Sequence, residues 1–161
     1  MALRSRLLFA PLVVFLFAIP VSALAAPLTT AVTGTSSQGQ RFVGQFTPTS
    51  ITEMSGALMA AGTLTGTLGG QPIGSQTVSI PVSKIDPNCH ILHLTLGPID
   101  LDLLGLLVHV NQIVIDITAQ PGAGNLLGNL LCDIGNLVNT GGPVSAILSD
   151  LNQVLTILQG L

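Results

Sequence analysis

ILHLTLGPIDLDLLGLLVHVNQIVIDIT, residues 91–118, decides the fold. Apolar and polar residues alternate through Ile91–Leu96, break at Gly97-Pro98, and alternate again through Ile99-Asp100-Leu101-Asp102-Leu103. Period-two alternation is the signature of a half-buried β-strand, and a Gly-Pro pair punctuates it. Leu104-Gly105 turns the chain into 106–110, and Asn111-Gln112 turns it into Ile113–Ile117. The segment therefore predicts a meander of short strands with an aliphatic inner face.

Upstream, Phe42, Gly44 and Phe46 fall on one side of a strand that Pro48 either ends or confines to a sheet edge. Residues 57–68 place Leu58, Ala60, Gly62, Leu64, Gly66 and Leu68 on one face, with Thr63, Thr65 and Thr67 on the other. Gly69-Gly70 turns into a strand over 76–83, and 84–90 read as a loop. Residues 26–40, small and polar without periodicity, read as a flexible lead.

Downstream the period changes. Asn125 is a predicted N-cap for a helix whose stripe is Leu126, Leu127, Leu130, Leu131, Ile134, Leu137 and Val138. Pro143 suits the first turn of a second helix carrying Ile147, Leu151, Val154, Leu155 and Leu158. The expected fold is α+β: an antiparallel meander, sandwich or partial barrel of about six or seven strands, then a C-terminal helical hairpin. The domain division is 1–25 signal peptide, 26–40 lead and 41–161 one domain, β-rich over 41–120 and helical over 125–161.

Residues 1–25 have the three parts of a secretory signal. Arg4 and Arg6 supply the positive start, Leu7 to Ile19 the apolar stretch, and Ala23-Leu24-Ala25 the small-x-small cleavage site. The stretch is too short to cross a bilayer, so no integral span is expected after cleavage. The expected location is secreted or periplasmic, at the cell envelope, by the general secretory route. Cleavage leaves Arg41 and Lys84 against seven acidic residues, a formal charge of −5. It also leaves Phe42 and Phe46 as the only aromatic residues, since the chain has no Trp or Tyr. So small a basic and aromatic complement excludes nucleic acid, anionic membrane surfaces and sugar-stacking platforms as expected partners.

An exported chain meets oxidising conditions, which predicts a bond between Cys89 and Cys132. The ionisable cluster His90, His93, Asp100, Asp102, His109 and Asp116 lies in the meander. A two-residue hairpin at 104–105 sets Asp100 opposite His109 and Asp102 opposite Leu107, and the next hairpin sets Leu107 opposite Asp116. That geometry makes Asp100, Asp102, His109 and His93 a candidate metal patch against the plainer reading of a solvated polar face. PGAGNLLG (121–128) has the look of a dinucleotide turn, but its spacing is one residue long and the strands before it are antiparallel. It reads instead as a strand-to-helix turn that needs small residues. No G-x-S-x-G, S-x-x-K or C-x-x-C is present, so no catalytic constellation and no cofactor are expected.

The run HLTLGPIDLDLLGLLVHVNQIVIDITAQPGAGNLLGNLLC, with FVGQFTPTSIT and GALMAAGTLTGTL upstream, resembles a group of small exported bacterial proteins of unknown function. They share an NQIVIDITAQPGAGNLLGNLLC-type block. The resemblance implies a recurring domain with Cys89 and Cys132 at matching places, and it brings no functional residue with it.

Three functional expectations follow. The first is a non-enzymatic structural or interaction module of the envelope, with an envelope protein as partner. The second is a carrier of a small apolar ligand such as a lipid, held between sheet and helices where Gly44, Gly62 and Gly66 leave space. The third is a metal-dependent hydrolase using the patch around Asp100 and His109.

Overall fold

The computed structural model describes residues 27–103 and 105–160. The signal-peptide reading of 1–25 lies outside them. Eight strands form one antiparallel sheet: β1 (Thr30–Ser36), β2 (Arg41–Met54), β3 (Ala57–Leu68), β4 (Gln71–Pro87), β5 (Ile91–Leu96), β6 (Ile99–Leu103), β7 (Leu106–Val110) and β8 (Ile113–Thr118). Two helices follow, α1 (Leu126–Thr140) and α2 (Val144–Gly160). Strand order is β6-β7-β1-β2-β3-β4-β5-β8, and the sheet curls into a half-barrel that brings β8 against β1.

The class is the one the alternation predicts, with three differences. Residues 30–36 are not a flexible lead but β1, paired with β2 on one side and with β7 on the other. Its inward residues are Val32, Gly34 and Ser36, so only one strongly apolar side chain betrays the period. A larger residue at Gly34 would run into the His109 carbonyl of β7. Secondly, 84–90 are not all loop. β4 continues through Pro87, pairing Lys84–Pro87 with Leu92–Thr95, and only the Asn88 turn separates it from β5. There Asn88 Oδ1 accepts hydrogen bonds from the amides of His90 and Ile91, both 2.8 Å.

Thirdly, the meander is broken. β5 pairs with β4 and β8, while the β6–β7 hairpin leaves the line at Gly97, whose φ of +71° is one an L side chain rarely adopts. The hairpin pairs instead with β1, at the far side of the sheet.

Pro48 does not end β2. It sits beyond Phe46, where β1 has stopped, so its missing N–H faces no strand. The uncovered edge of β2 is taken by α2. Asn152 accepts from the Ile51 amide and donates to the Ile51 carbonyl, each at 2.8 Å, as a neighbouring strand would. Two turns on, Gln159 donates to the carbonyls of Pro48 (3.1 Å) and Thr49 (3.3 Å).

The core is continuous from sheet to helices: Phe42, Phe46, Leu64, Leu92, Leu96, Val108 and Val110 on the strands, with Leu131, Ile134, Leu151 and Val154 on the helices. The Cys89–Cys132 disulfide joins the β4–β5 turn to α1. Asn125 stands at the N-cap position of α1 but makes no capping bond through its side chain. The entry turn is held instead by Asn129, which accepts from the Gly122 amide and donates to its carbonyl. The small-residue reading of 121–128 is sound at Gly128, where a Cβ would overlap the Gln120 carbonyl. Where α2 faces α1, partial burial pushes the Asp150 carboxyl above its ordinary range, and the negative charge of Asp133 adds to the effect.

Candidate functional site: an open-ended cleft and two histidine–aspartate pairs

The 103–106 hairpin has the register its two-residue turn dictates, with Asp100 opposite His109 and Asp102 opposite Leu107. His109 Nδ1 lies 2.8 Å from Asp100 Oδ1. Asp116 is not beside them: β8 pairs with β5, so Asp116 faces His93, with His93 Nδ1 2.5 Å from its Oδ1. His109 on β7 and His93 on β5 therefore sit on the strands second from either end of the strand order.

The patch of Asp100, Asp102, His109 and His93 does not assemble. The physical reason is the departure of β6–β7 to pair with β1, which splits one expected column into two isolated pairs. Asp102, exposed on the same hairpin, accepts from the Gly105 amide at 2.6 Å. Each pair offers a metal two donors, and a structural or catalytic centre asks for three or four protein ligands. Among the described residues no group of three or more suitable side chains comes together. All four side chains are close to half exposed or more, so each pair contributes at most about 1 kcal/mol to stability.

The space expected around Gly44, Gly62 and Gly66 is filled. Phe42 and Phe46, both fully buried, lay their rings across these glycines diagonally over the β2–β3 ladder. A Cβ on Gly62 would stand 2.6 and 2.7 Å from Cε2 and Cζ of Phe46, and one on Gly44 would stand 2.7 Å from Cζ of Phe42. The glycines are seats for the two phenylalanine rings of the described residues. They pack the core rather than open it.

A well-formed concavity lies elsewhere, at the end of the long strands away from the helices. Leu68, Pro72, Ile73 and Leu103 make its apolar floor, and Gln40, Gln71, Gln76 and Asp102 its polar rim. It encloses about 430 Å³, within the range of small-ligand sites. One wall is the start of β4 and the other is the end of β6. Gln76 Nε2 donates to the Ile73 carbonyl at 3.2 Å, which steadies the first wall.

Sequence reasoning missed this cleft because its residues come from three turns and an edge strand, none carrying a motif. The Gly69-Gly70 turn placed one wall, but only the tertiary course of β6 supplies the other. Among the described residues no helix is long and apolar enough to cross a membrane. Comparison with protein-family models, curated proteins and solved structures gives no match to this chain.

Proposed function

We propose that this chain is an exported, non-enzymatic interaction module of the cell envelope that engages its partner through the cleft between β4 and β6. The observation that carries the reading is the cleft itself. Its apolar floor under a rim of three glutamines and one carboxylate suits a partner that brings apolar and hydrogen-bonding groups, with Asp102 the one charged group of the rim. The Cys89–Cys132 bond supports the extracytoplasmic location, since such bonds persist in oxidising compartments.

The carrier reading draws on the same floor. It places a short acyl or alkyl group against Leu68, Ile73 and Leu103 rather than beside Gly44, Gly62 and Gly66, where the rings of Phe42 and Phe46 fill the space.

Two measurements test the proposal. Expression of the full chain in a bacterium should yield periplasmic or secreted protein beginning at Ala26, with both cysteines resistant to alkylation until reduced. Titration of that protein with N-butylacetamide, followed by ¹⁵N–¹H NMR, should shift the amides around Ile73, Gln76 and Leu103. Retention in the cytoplasm, or shifts scattered over the surface, would defeat the reading. Native mass spectrometry of protein from its own host separates the carrier, which should bring a lipid with it.

A further inference from the structure

Several strand edges lack a strand partner, and most are covered. Asn152 and Gln159 of α2 cover the late part of β2, α1 lies against the end of β4, and β8 lies against β1. Among the described residues, the free stretches of β4 and β6 have no such neighbour, and they face each other across the cleft. β4 pairs with β5 only from Val82 onward, so residues 71–80 have β3 on one side and no strand on the other. β6 pairs with β7 on one side only.

The two free edges meet at one end, where the Gly97 amide donates to the Pro81 carbonyl at 2.8 Å and the chain passes into β6. At the other end they stand apart as the walls of the cleft, with Gln71–Gln76 across from Asp102 and Leu103. The half-barrel thus has an open seam. Its opposed main-chain N–H and C=O groups are the chemistry of strand addition.

We infer that the seam binds an extended peptide segment of a partner protein, added as a strand between β4 and β6. This inference rests on the interaction-module reading above and names its partner class. β6 runs from the Pro81 end towards the Gln71–Gln76 end and β4 runs the other way, so an inserted strand is antiparallel to one wall and parallel to the other. The longer free edge, that of β4, takes the antiparallel pairing, which is slightly the more stable per residue.

Side-chain requirements follow from the pleat. On β4 the inward Val78 and Ile80 are already buried, but towards the open end Ile73 and Gln76 are only half covered, as are Ile99, Leu101 and Leu103 on β6. The buried Val108 and Val110 of neighbouring β7 show what full cover looks like. Inward positions of the guest are therefore apolar, at every second residue.

The outer face of β6 carries Asp100 and Asp102, both exposed, and no Lys or Arg lines the cleft. Outward positions of the guest therefore include Lys or Arg. These carboxylates also disfavour pairing of β6 with an identical edge, since like charges would oppose one another. A basic, alternating strand from a different protein fits where a second copy does not.

The test uses ¹⁵N-labelled protein expressed from the full chain and a capped heptapeptide, Thr-Val-Lys-Val-Lys-Val-Thr. Binding should slow hydrogen exchange at amides within 71–80 and 99–103. N-methylation of alternate peptide amides, which removes the bonds to one wall, should weaken binding about tenfold. Asp102→Asn keeps the acceptor for Gly105 and should weaken the lysine peptide about two- to fivefold at low salt, leaving a Thr-for-Lys peptide unaffected. Protection elsewhere, or equal binding of the N-methylated peptide, overturns strand addition. If no heptapeptide binds while N-butylacetamide still shifts Ile73 and Leu103, strand addition fails and the interaction module stands. If neither binds, both fail.

Discussion

Gly62→Ala is the sharpest test of how the core is built. In a strand interior alanine is ordinarily worth about 0.5–1 kcal/mol more than glycine, because glycine loses more backbone entropy on folding. If Gly62 lined free space, as a ligand chamber requires, the substitution would be neutral or stabilising. Here the new methyl group would overlap the Thr47 carbonyl and stand 2.6–2.7 Å from the Phe46 ring. Neither neighbour has room to yield: Phe46 is fully buried, and Thr47 is locked in the β2–β3 ladder opposite Thr63. Overpacking of this kind costs about 1–3 kcal/mol. Because two rigid neighbours are met at once, the upper part of that range applies, about 2–3 kcal/mol. After the entropy gain a net loss of about 1–2.5 kcal/mol remains, which in a domain of this size lowers the melting temperature by roughly 3–10 °C.

With no Trp or Tyr to report by fluorescence, the assay is urea unfolding followed by far-ultraviolet circular dichroism with the disulfide intact. Phe46→Leu in the same chain removes the ring half of the clash. The double variant should recover about 1 kcal/mol relative to the sum of the single losses. A Gly62→Ala protein as stable as the parent would refute the packing and restore the chamber.

Other substitutions should behave with opposite signs for reasons visible in the structure. On the same helix, Gly128→Ala should destabilise by about 1–3 kcal/mol, because its methyl group meets the Gln120 carbonyl and the Pro121 nitrogen. Gly135→Ala, whose nearest neighbours stand at 3.9 Å, should stabilise by about 0.5–1 kcal/mol; the two urea midpoints check both. Asn152→Ala should cost about 2–4 kcal/mol by leaving the Ile51 amide and carbonyl without their partner, and should speed exchange of the Ile51 amide before global unfolding. Asp150 has its carboxyl pKa raised in the fold by burial and by Asp133, so the folded state holds that proton more tightly than the unfolded chain. Its ionisation therefore subtracts stability as pH rises through and above the unfolded value. Asp150→Asn should raise the urea midpoint at pH 7, and the gain should disappear at pH 3.

What could be read in advance depended on whether the deciding interactions were local. The 103–106 hairpin register was legible to the residue, because a two-residue turn fixes its flanking pairs. The helices were legible through stripes such as Ile147, Leu151, Val154 and Leu155, all of which are buried. The pairing of Cys89 with Cys132 followed from the expectation that the chain is exported to oxidising conditions.

β1 was illegible because a strand whose inward residues are Val32, Gly34 and Ser36 shows no hydrophobic period. Its omission spread. Without β1 there is no edge for β7 to join, and the pattern alone predicts a continuous meander with Asp116 facing Leu107. The cleft was illegible for the same reason, since its second wall exists only because β6 travels with β7 to the far side of the sheet.

Charge scarcity gives the seam its meaning. Sheet proteins commonly guard exposed edges with charged side chains, and a chain with 7% charged residues has few to spend. Most edges here are guarded without charge: α2 lends the amides of Asn152 and Gln159 to β2, and the curl of the sheet brings β8 against β1. Two of the seven acidic residues stand side by side on the outer face of β6, five residues long and open on one side. A general solvating role would be served as well on any strand. Placed on an edge that faces another free edge, the same two carboxylates keep like copies apart and admit a basic strand, so the guard and the selector are one feature.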